Sequence, residues 1–256
     1  MEKLTVNLSA GKKIYFASDF HLGTPDKASS LRREKKITSW LEDIKNDAEA
    51  IFLMGDIFDF WFEYPHVIPK GFIRFQGKLA ELRDQNIPVY FFRGNHDMWM
   101  FDYFQEELDI PVFSDPVELK SNQFKLLVGH GDGLGPGDKT YKILKKIFRN
   151  PAAQWFFKWL HPNVGMQLAN YWSSRSRISN QNKEDQFKGD DEWLLQYCRE
   201  VEKSTHYDYY IFGHRHLSLE LKVGDSATYL NPGEWVTDSK YAVLDEKGIK
   251  LLTYEE

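Results

Sequence analysis

Apolar residues come in short runs through the first hundred positions, separated by stretches in which they recur at helical spacing. Residues 13–18 (KIYFAS) form one such run and predict a buried strand. In 31–46, Leu31, Ile37, Trp40, Leu41 and Ile44 fall at intervals that suit one face of a helix. A second run at 50–54 (AIFLM), a second helical stretch at 72–85 and a third run at 88–92 (PVYFF) extend the series. This β-α-β-α-β order predicts an α/β fold with parallel pairing at its centre. The second half changes character: 117–128, 208–212, 217–223, 227–230, 240–245 and 248–254 read as short strands with few helices between them. A mixed sheet, or two sheets packed face to face, accommodates this better than a simple doubly wound sheet. Neither an internal repeat nor a low-complexity linker interrupts the chain, so 1–256 reads as a single domain carrying an insertion.

Composition narrows the class. The chain has 256 residues, 42% hydrophobic and 28% charged, a globular balance with enough length to bury a core unaided. Cys198 is the one cysteine, so no internal disulfide is possible and a reducing compartment is expected. The N-terminus has no signal-peptide pattern, and no stretch approaches the ~20 apolar residues of a membrane-spanning helix. Secreted, collagenous and integral-membrane readings are therefore not expected. A net charge of −5 argues against general affinity for nucleic acid. That charge is unevenly spread: residues 136–190 hold ten basic and four acidic side chains, a net +6, which leaves −11 for the remainder.

The candidate chemistry falls where the strands end. Asp19-Phe20-His21 follows the first, Gly55-Asp56-Ile57-Phe58-Asp59 the second, and Gly94-Asn95-His96-Asp97 the third. Later come Gly129-His130-Gly131-Asp132 and Gly213-His214-Arg215-His216. Ligands of open α/β sheets gather outside the carboxyl ends of the strands. Carboxylate, imidazole and amide oxygen are hard and borderline metal donors, and the absence of thiolate disfavours a closed structural zinc site. Two residues apart on a strand, Asp19 and His21 would share a face, and His214 and His216 would repeat that geometry. The neighbouring glycines let the backbone turn and approach closely. Seven such donors can hold two ions with one carboxylate shared, an arrangement that suits displacement at phosphorus.

Taken singly, each group has an ordinary explanation. Asp-x-His commonly just faces solvent, Gly-Asn-His-Asp can be a turn, and Gly-His-x-His can be two histidines bonded to backbone. Five groups in this order, most directly after an apolar strand, exceed what turns explain. His66, His161 and His206 have no such context and read as surface or packing residues.

The set Asp19-x-His21, Gly55-Asp56, Gly94-Asn95-His96, Gly129-His130 and Gly213-His214-x-His216 resembles the calcineurin-like metallophosphoesterases over nearly the whole chain. The resemblance implies a two-sheet β-sandwich flanked by helices, with two divalent ions, Mn²⁺ foremost and Fe or Zn as alternatives. Asp19, His21, Asp56 and His216 would serve the first ion. Asp56, Asn95, His130 and His214 would serve the second, with Asp56 bridging. His96, oriented by Asp59, would act on the transition state or leaving group, and Asn95, His96 and His214 would also meet substrate. Within the family the closer resemblance is to the pyrophosphatases of lipid A biosynthesis, carried by Ser18-Asp19-Phe20-His21-Leu22, Gly55 to Trp61, and His130-Gly131-Asp132 followed by Asp138-Lys139. It implies a UDP-linked glycolipid substrate cleaved to UMP and an acylated sugar 1-phosphate at the cytoplasmic face of the inner membrane, with peripheral attachment and neither nucleic acid nor an obligate protein partner. Asp138, Ser176, Asn180 and Lys183 would fall on substrate contacts, and the helical insertion, about 136–190, on a lid over the acyl chains. That branch has arginine where this chain has His96, which returns the site to the broad family pattern.

The insertion also has a reading of its own. Tyr141, Leu144, Ile147 and Phe148 fall on one helical face, with Lys142, Lys145, Lys146 and Arg149 elsewhere, and Trp155, Phe156, Phe157 and Trp159 follow. Such a segment can lie on an anionic membrane or enclose acyl chains, or its apolar face can simply pack on the domain. Two further readings stay open: hydrolysis of a soluble nucleotide's phosphodiester or pyrophosphate, and a non-catalytic scaffold of the same fold.

Overall fold

A computed structural model describes residues 1–137, 139–169, 171, 173 and 187–255. The first half follows the apolar pattern: β1 (Lys3–Thr5), β2 (Lys13–Ala17), α1 (Lys27–Ile44), β3 (Ala48–Leu53), α2 (Ile73–Asp84), β4 (Val89–Phe92), α3 (Tyr103–Leu108) and β5 (Val112–Phe113). Helix α1 begins ahead of residue 31 because the Asp26 carboxylate accepts from the Ala28 and Ser29 amides and caps it. The stretch 117–128 is an antiparallel hairpin and not one strand, β6 (Val117–Ser121) and β7 (Phe124–Gly129). It turns at Asn122, whose φ of 49° is a left-handed backbone that asparagine tolerates. Helices α4 (Lys139–Phe148), α5 (Pro151–Lys158) and α6 (162–169) come next. After a 3₁₀ turn at Gly189–Asp191 comes α7 (Trp193–Glu202), a helix the apolar pattern had not disclosed. Strands β8 (Tyr209–Phe212), β9 (Ser218–Val223), β10 (Ala227–Pro232), β11 (Lys240–Asp245) and β12 (Gly248–Thr253) close the chain.

The strands form two six-stranded mixed sheets, β12-β11-β2-β3-β4-β5 and β1-β6-β7-β8-β10-β9. Strands β2 to β5 pair in parallel in the first, and β7, β8 and β10 in the second. Alternation of side chains along each strand sorts the core into layers. Ile14, Phe16, Ala50 and Phe52 of one sheet meet Leu126, Val128 and Ile211 of the other between the sheets. Tyr15, Ala17, Ile51 and Leu53 face outward onto Ile37, Trp40 and Leu41 of α1 and Phe75 and Leu79 of α2. Leu127, Tyr210 and Phe212 cover Leu194, Leu195 and Cys198 of α7. The result is the two-sheet sandwich flanked by helices that the sequence predicts. A smaller cluster, Phe62, Met98 and Trp99, receives Phe148 of α4 and Phe157 of α5 and fastens them beside the strand ends.

Candidate metal centre

All seven candidate donors lie within four residues of a strand's carboxyl end, on β2, β3 and β4 of one sheet and β7 and β8 of the other. The two sheets meet there. Asp19 and His21 do not share a strand face, because β2 has already ended at Ala17. Instead both are left-handed, with φ of 57° and 45°, and His214 (69°), His216 (53°) and Asp56 (52°) repeat the conformation. Each left-handed non-glycine residue costs about 1–3 kcal/mol and persists only where its surroundings enforce it. The enforcement is visible. The buried Arg33 guanidinium donates to the carbonyls of His21 (2.6 Å) and Thr24 (2.5 Å). The His21 amide donates to Asp56 O at 2.9 Å, and Asn231 Nδ2 to Gly213 O at 2.6 Å. Asp97, fully buried, accepts from the amides of Gly94 and Ile57 at 2.7 Å and of Asp56 and Phe58 at 3.2 Å. At Gly94 a Cβ would overlap the Asp56 carboxylate, and at Gly213 it would lie 2.6 Å from Ser18 Oγ, so glycine alone fits either place.

The donors form two adjoining groups that share Asp56. Asp19, His21, Asp56 and His216 each offer a ligand atom to one, and Asp56, His130 and His214 to the other. Asn95 Oδ1 lies 3.2 Å from His130 Nε2, alongside the second group. The carboxylate of Asp56 is split between tasks. Oδ1 accepts from the His96 amide at 2.8 Å, while Oδ2 lies 3.4 Å from His130 Nε2 and 3.9 Å from His21 Nε2. Asp19 Oδ2 accepts from the His214 amide at 3.0 Å. His130 Nδ1 contacts Met54 O at 2.8 Å, so Nδ1 carries a hydrogen and the ring is held by the backbone.

The donor set fits divalent cations on two counts. Asp19 Oδ1 is buried with no hydrogen-bond partner, an expense that a cation removes. His21 Nε2 and His216 Nε2 face each other at 3.1 Å, as two lone pairs do only about a shared proton or cation. The charges are already arranged around this need. Burial opposes ionisation of Asp56, yet His130, His96 and His21 hold its carboxyl well below the usual range. Asp19 behaves alike beside His216 and His130. Burial pushes His214 down to about 4, reinforced by His130, and lowers His21, so both imidazoles stay neutral as ligation requires. His130 goes the other way: burial is outweighed by Asp56, which raises it to about 10.

His96 stands at the rim, its side chain 12% exposed. Its Nδ1 meets the backbone carbonyl of Asp59 at 3.1 Å, whereas the Asp59 carboxylate is 3.8 Å away and also 3.7 Å from His21 Nδ1. Of the other expected substrate contacts, Asp138, Ser176, Asn180 and Lys183 lie outside the described residues. His66, His161 and His206 are exposed and belong to none of these groups.

The face assigned to α4 from the sequence divides in two. Tyr141 and Phe148 turn inward, but the residue between them is Lys145 and not an apolar one. Tyr141 OH donates to Asp132 Oδ2 at 2.5 Å, and Lys145 Nζ pairs with the same oxygen at 2.5 Å. Trp99 Nε1 donates to Phe148 O at 2.9 Å. Leu144 and Ile147 point outward, 42% and 52% exposed, with Ile143 beside them. Four residues that sequence reasoning gave no role thus support the site: Arg33, Asp97, Lys145 and Arg215. The last, between two of the histidines, makes a buried pair with Glu192, Nε to Oε1 at 2.5 Å. Their only signal is charge in places that turn out to be buried, or half-buried for Lys145.

A family model described as "Calcineurin-like phosphoesterase" matches residues 12–218. The chain is 38% identical to a UDP-2,3-diacylglucosamine hydrolase of Porphyromonas gingivalis over 95% of its length and 98% of that protein's. Proteins of the same name from Shewanella baltica (24% identity, 92% and 95% covered) and Proteus mirabilis (28%, 66% and 69% covered) are also similar. The matched span takes in every strand end that bears a donor, from β2 to β8, and on these grounds the chain belongs to the calcineurin-like phosphoesterase family.

Proposed function

We propose that this chain hydrolyses the pyrophosphate of UDP-2,3-diacylglucosamine, releasing UMP and 2,3-diacylglucosamine 1-phosphate. The observation that carries this is the 38% identity, spread over nearly the whole of both chains, with a hydrolase of that name. Asp19, His21, Asp56 and His216 would hold one ion and Asp56, Asn95, His130 and His214 the other, with Mn²⁺ as the metal. Two divalent ions in such a cradle supply Lewis acidity toward the phosphoryl oxygens and activate water. The chain's own groups do the rest. His96 sits at the rim, where it would meet the leaving group, and Asn95 and His214, both half-buried, would also meet substrate.

The exposed side chains of α4 and α5 support a lipid-facing role for the insertion. Ile143, Leu144, Ile147, Trp155, Phe156 and Trp159 are 42–74% exposed, an apolar face too large to leave in water without purpose. Lys142, Lys146 and Lys158 flank them, the pairing of apolar and basic groups that suits acyl chains at an anionic membrane surface. Attachment would be peripheral, on the cytoplasmic face; no helix among the described residues is long and apolar enough to cross a membrane. The Trp155→Ala/Phe156→Ala variant is expected to raise KM for the acylated substrate at least tenfold, taking about 1.5–3 kcal/mol per buried aromatic, and to leave KM for bis-p-nitrophenyl phosphate unchanged.

A soluble nucleotide substrate is favoured by one residue, His96, which replaces the arginine of the lipid A branch. One assay separates the readings. The Mn²⁺-loaded protein is offered UDP-2,3-diacylglucosamine, UDP-N-acetylglucosamine and bis-p-nitrophenyl phosphate. UMP from the acylated substrate at far the highest rate is the expected result. Preference for the unacylated sugar nucleotide would replace the proposed substrate. Asp56→Ala, which removes the shared carboxylate, is expected to abolish turnover of all three.

A further inference from the structure

The Asp59 carboxylate does not reach His96. At 3.8 Å it lies beyond hydrogen-bond distance of Nδ1. Ser173 fills that gap. It is 9% exposed, its Oγ donates to Asp59 Oδ2 at 3.0 Å, and the same oxygen lies 3.1 Å from His96 Nδ1. A serine has one hydrogen to give, and the ionised carboxylate can only accept it. The hydrogen between Ser173 and His96 therefore belongs to Nδ1. The other neighbour of Nδ1, the Asp59 carbonyl at 3.1 Å, is an acceptor as well. Both contacts select the tautomer with hydrogen on Nδ1 and leave Nε2 as the nitrogen free for proton exchange.

Building on the hydrolase reading above, we propose that Ser173 is a positioning residue: its hydroxyl joins the Asp59 carboxylate to the His96 ring and sets that ring's orientation and tautomer. Ser173 comes from the segment between β7 and α7, whereas Asp59 and His96 follow β3 and β4. The sandwich alone therefore does not place His96; the segment that bears the exposed apolar helices completes it. Asp59 also lies 3.7 Å from His21 Nδ1, so the same hydroxyl steadies a carboxylate that stands beside a candidate metal donor.

The test uses the full-length, Mn²⁺-loaded protein and bis-p-nitrophenyl phosphate, a diester without acyl chains. Ser173→Ala is expected to lower kcat about tenfold, as loss of an outer-layer partner commonly does, with KM changed by less than about twofold. Ser173→Thr, which keeps the hydroxyl, is expected to recover most of the loss. In the His96→Ala background, Ser173→Ala should cost nothing further. Ser173→Cys, nearly the same size but a weak donor, should match the alanine variant and serves if alanine impairs folding. Unchanged kcat in the alanine and cysteine variants, or an equal loss with and without His96, overturns the proposal and leaves the hydrolase reading intact. Failure of the wild-type protein to turn over any of the three substrates above overturns both.

Discussion

At the scale of single residues, the site is built from side chains in a conformation they do not favour. Asp19, His21, Asp56, His214 and His216 are all left-handed, and the Arg33, Asp97 and Asn231 contacts keep them so. At His216, whose side chain is 27% exposed, this strain can be measured. In chelator, His216→Gly should be about 1 kcal/mol more stable than His216→Ala, because glycine alone adopts that backbone freely. Equal stabilities by denaturant titration would mean the turn carries no strain. Gly94→Ala makes the opposite point. Its methyl would displace the Asp56 carboxylate, so stability should fall by about 1–3 kcal/mol and turnover should be lost. The donors themselves were legible in the sequence, since residue type and position after apolar runs are enough to nominate them. Their geometry was not. A strand was expected to align Asp19 with His21, and nothing in Asp-Phe-His announces two left-handed residues. Asp97 stood in the Gly-Asn-His-Asp group, yet its four amide contacts arise only when two strand ends come together.

At the scale of elements, α4 shows how far periodicity reaches. The pattern places a helix correctly but chooses the wrong inner face, because it counts Lys145 as outward and Leu144 as inward. Asp132 decides the matter. Burial opposes its charge, but His130 and Lys145 hold its carboxyl below the ordinary range, and a buried carboxylate draws in the lysine and Tyr141. Removing one partner of a buried pair costs about 3–5 kcal/mol. Lys145 is partly exposed, so the lower end applies. Lys145→Met should therefore speed amide exchange across 139–148 about a hundredfold while β7 and β8 keep their protection. Uniform exchange across the chain would show that α4 is not anchored separately. The elements that the sequence hid are the brief ones and those without a clean stripe. Two-residue β5 and three-residue β1 are too short for a period to register. The turn of the 117–128 hairpin rests on Asn122 and Gln123 alone, too few polar positions to divide one strand from two.

At the scale of the molecule, the two sheets contribute unequal parts of one charged cradle, and a bound ion should act as a brace between them. At Mn²⁺ about a hundredfold above its dissociation constant the native state gains about 2.7 kcal/mol, which for a chain of this size raises Tm by roughly 5–10 °C. Asp56→Asn should lose most of that gain; an unchanged shift would place the ion elsewhere. The seam between the sheets also fixes when in its life the protein becomes competent. Asp19, His21, Asp56 and Asn95 are among the first hundred residues made, and His214 and His216 among the last fifty. A nascent chain can pair β2, β3 and β4 long before β8 exists, yet it holds only part of either donor group. Neither donor group is whole, and hydrolysis is not expected, until synthesis has passed residues 214 and 216. In refolding, too, activity should return only once both sheets have joined, after secondary structure has formed; simultaneous recovery of the two signals would contradict this.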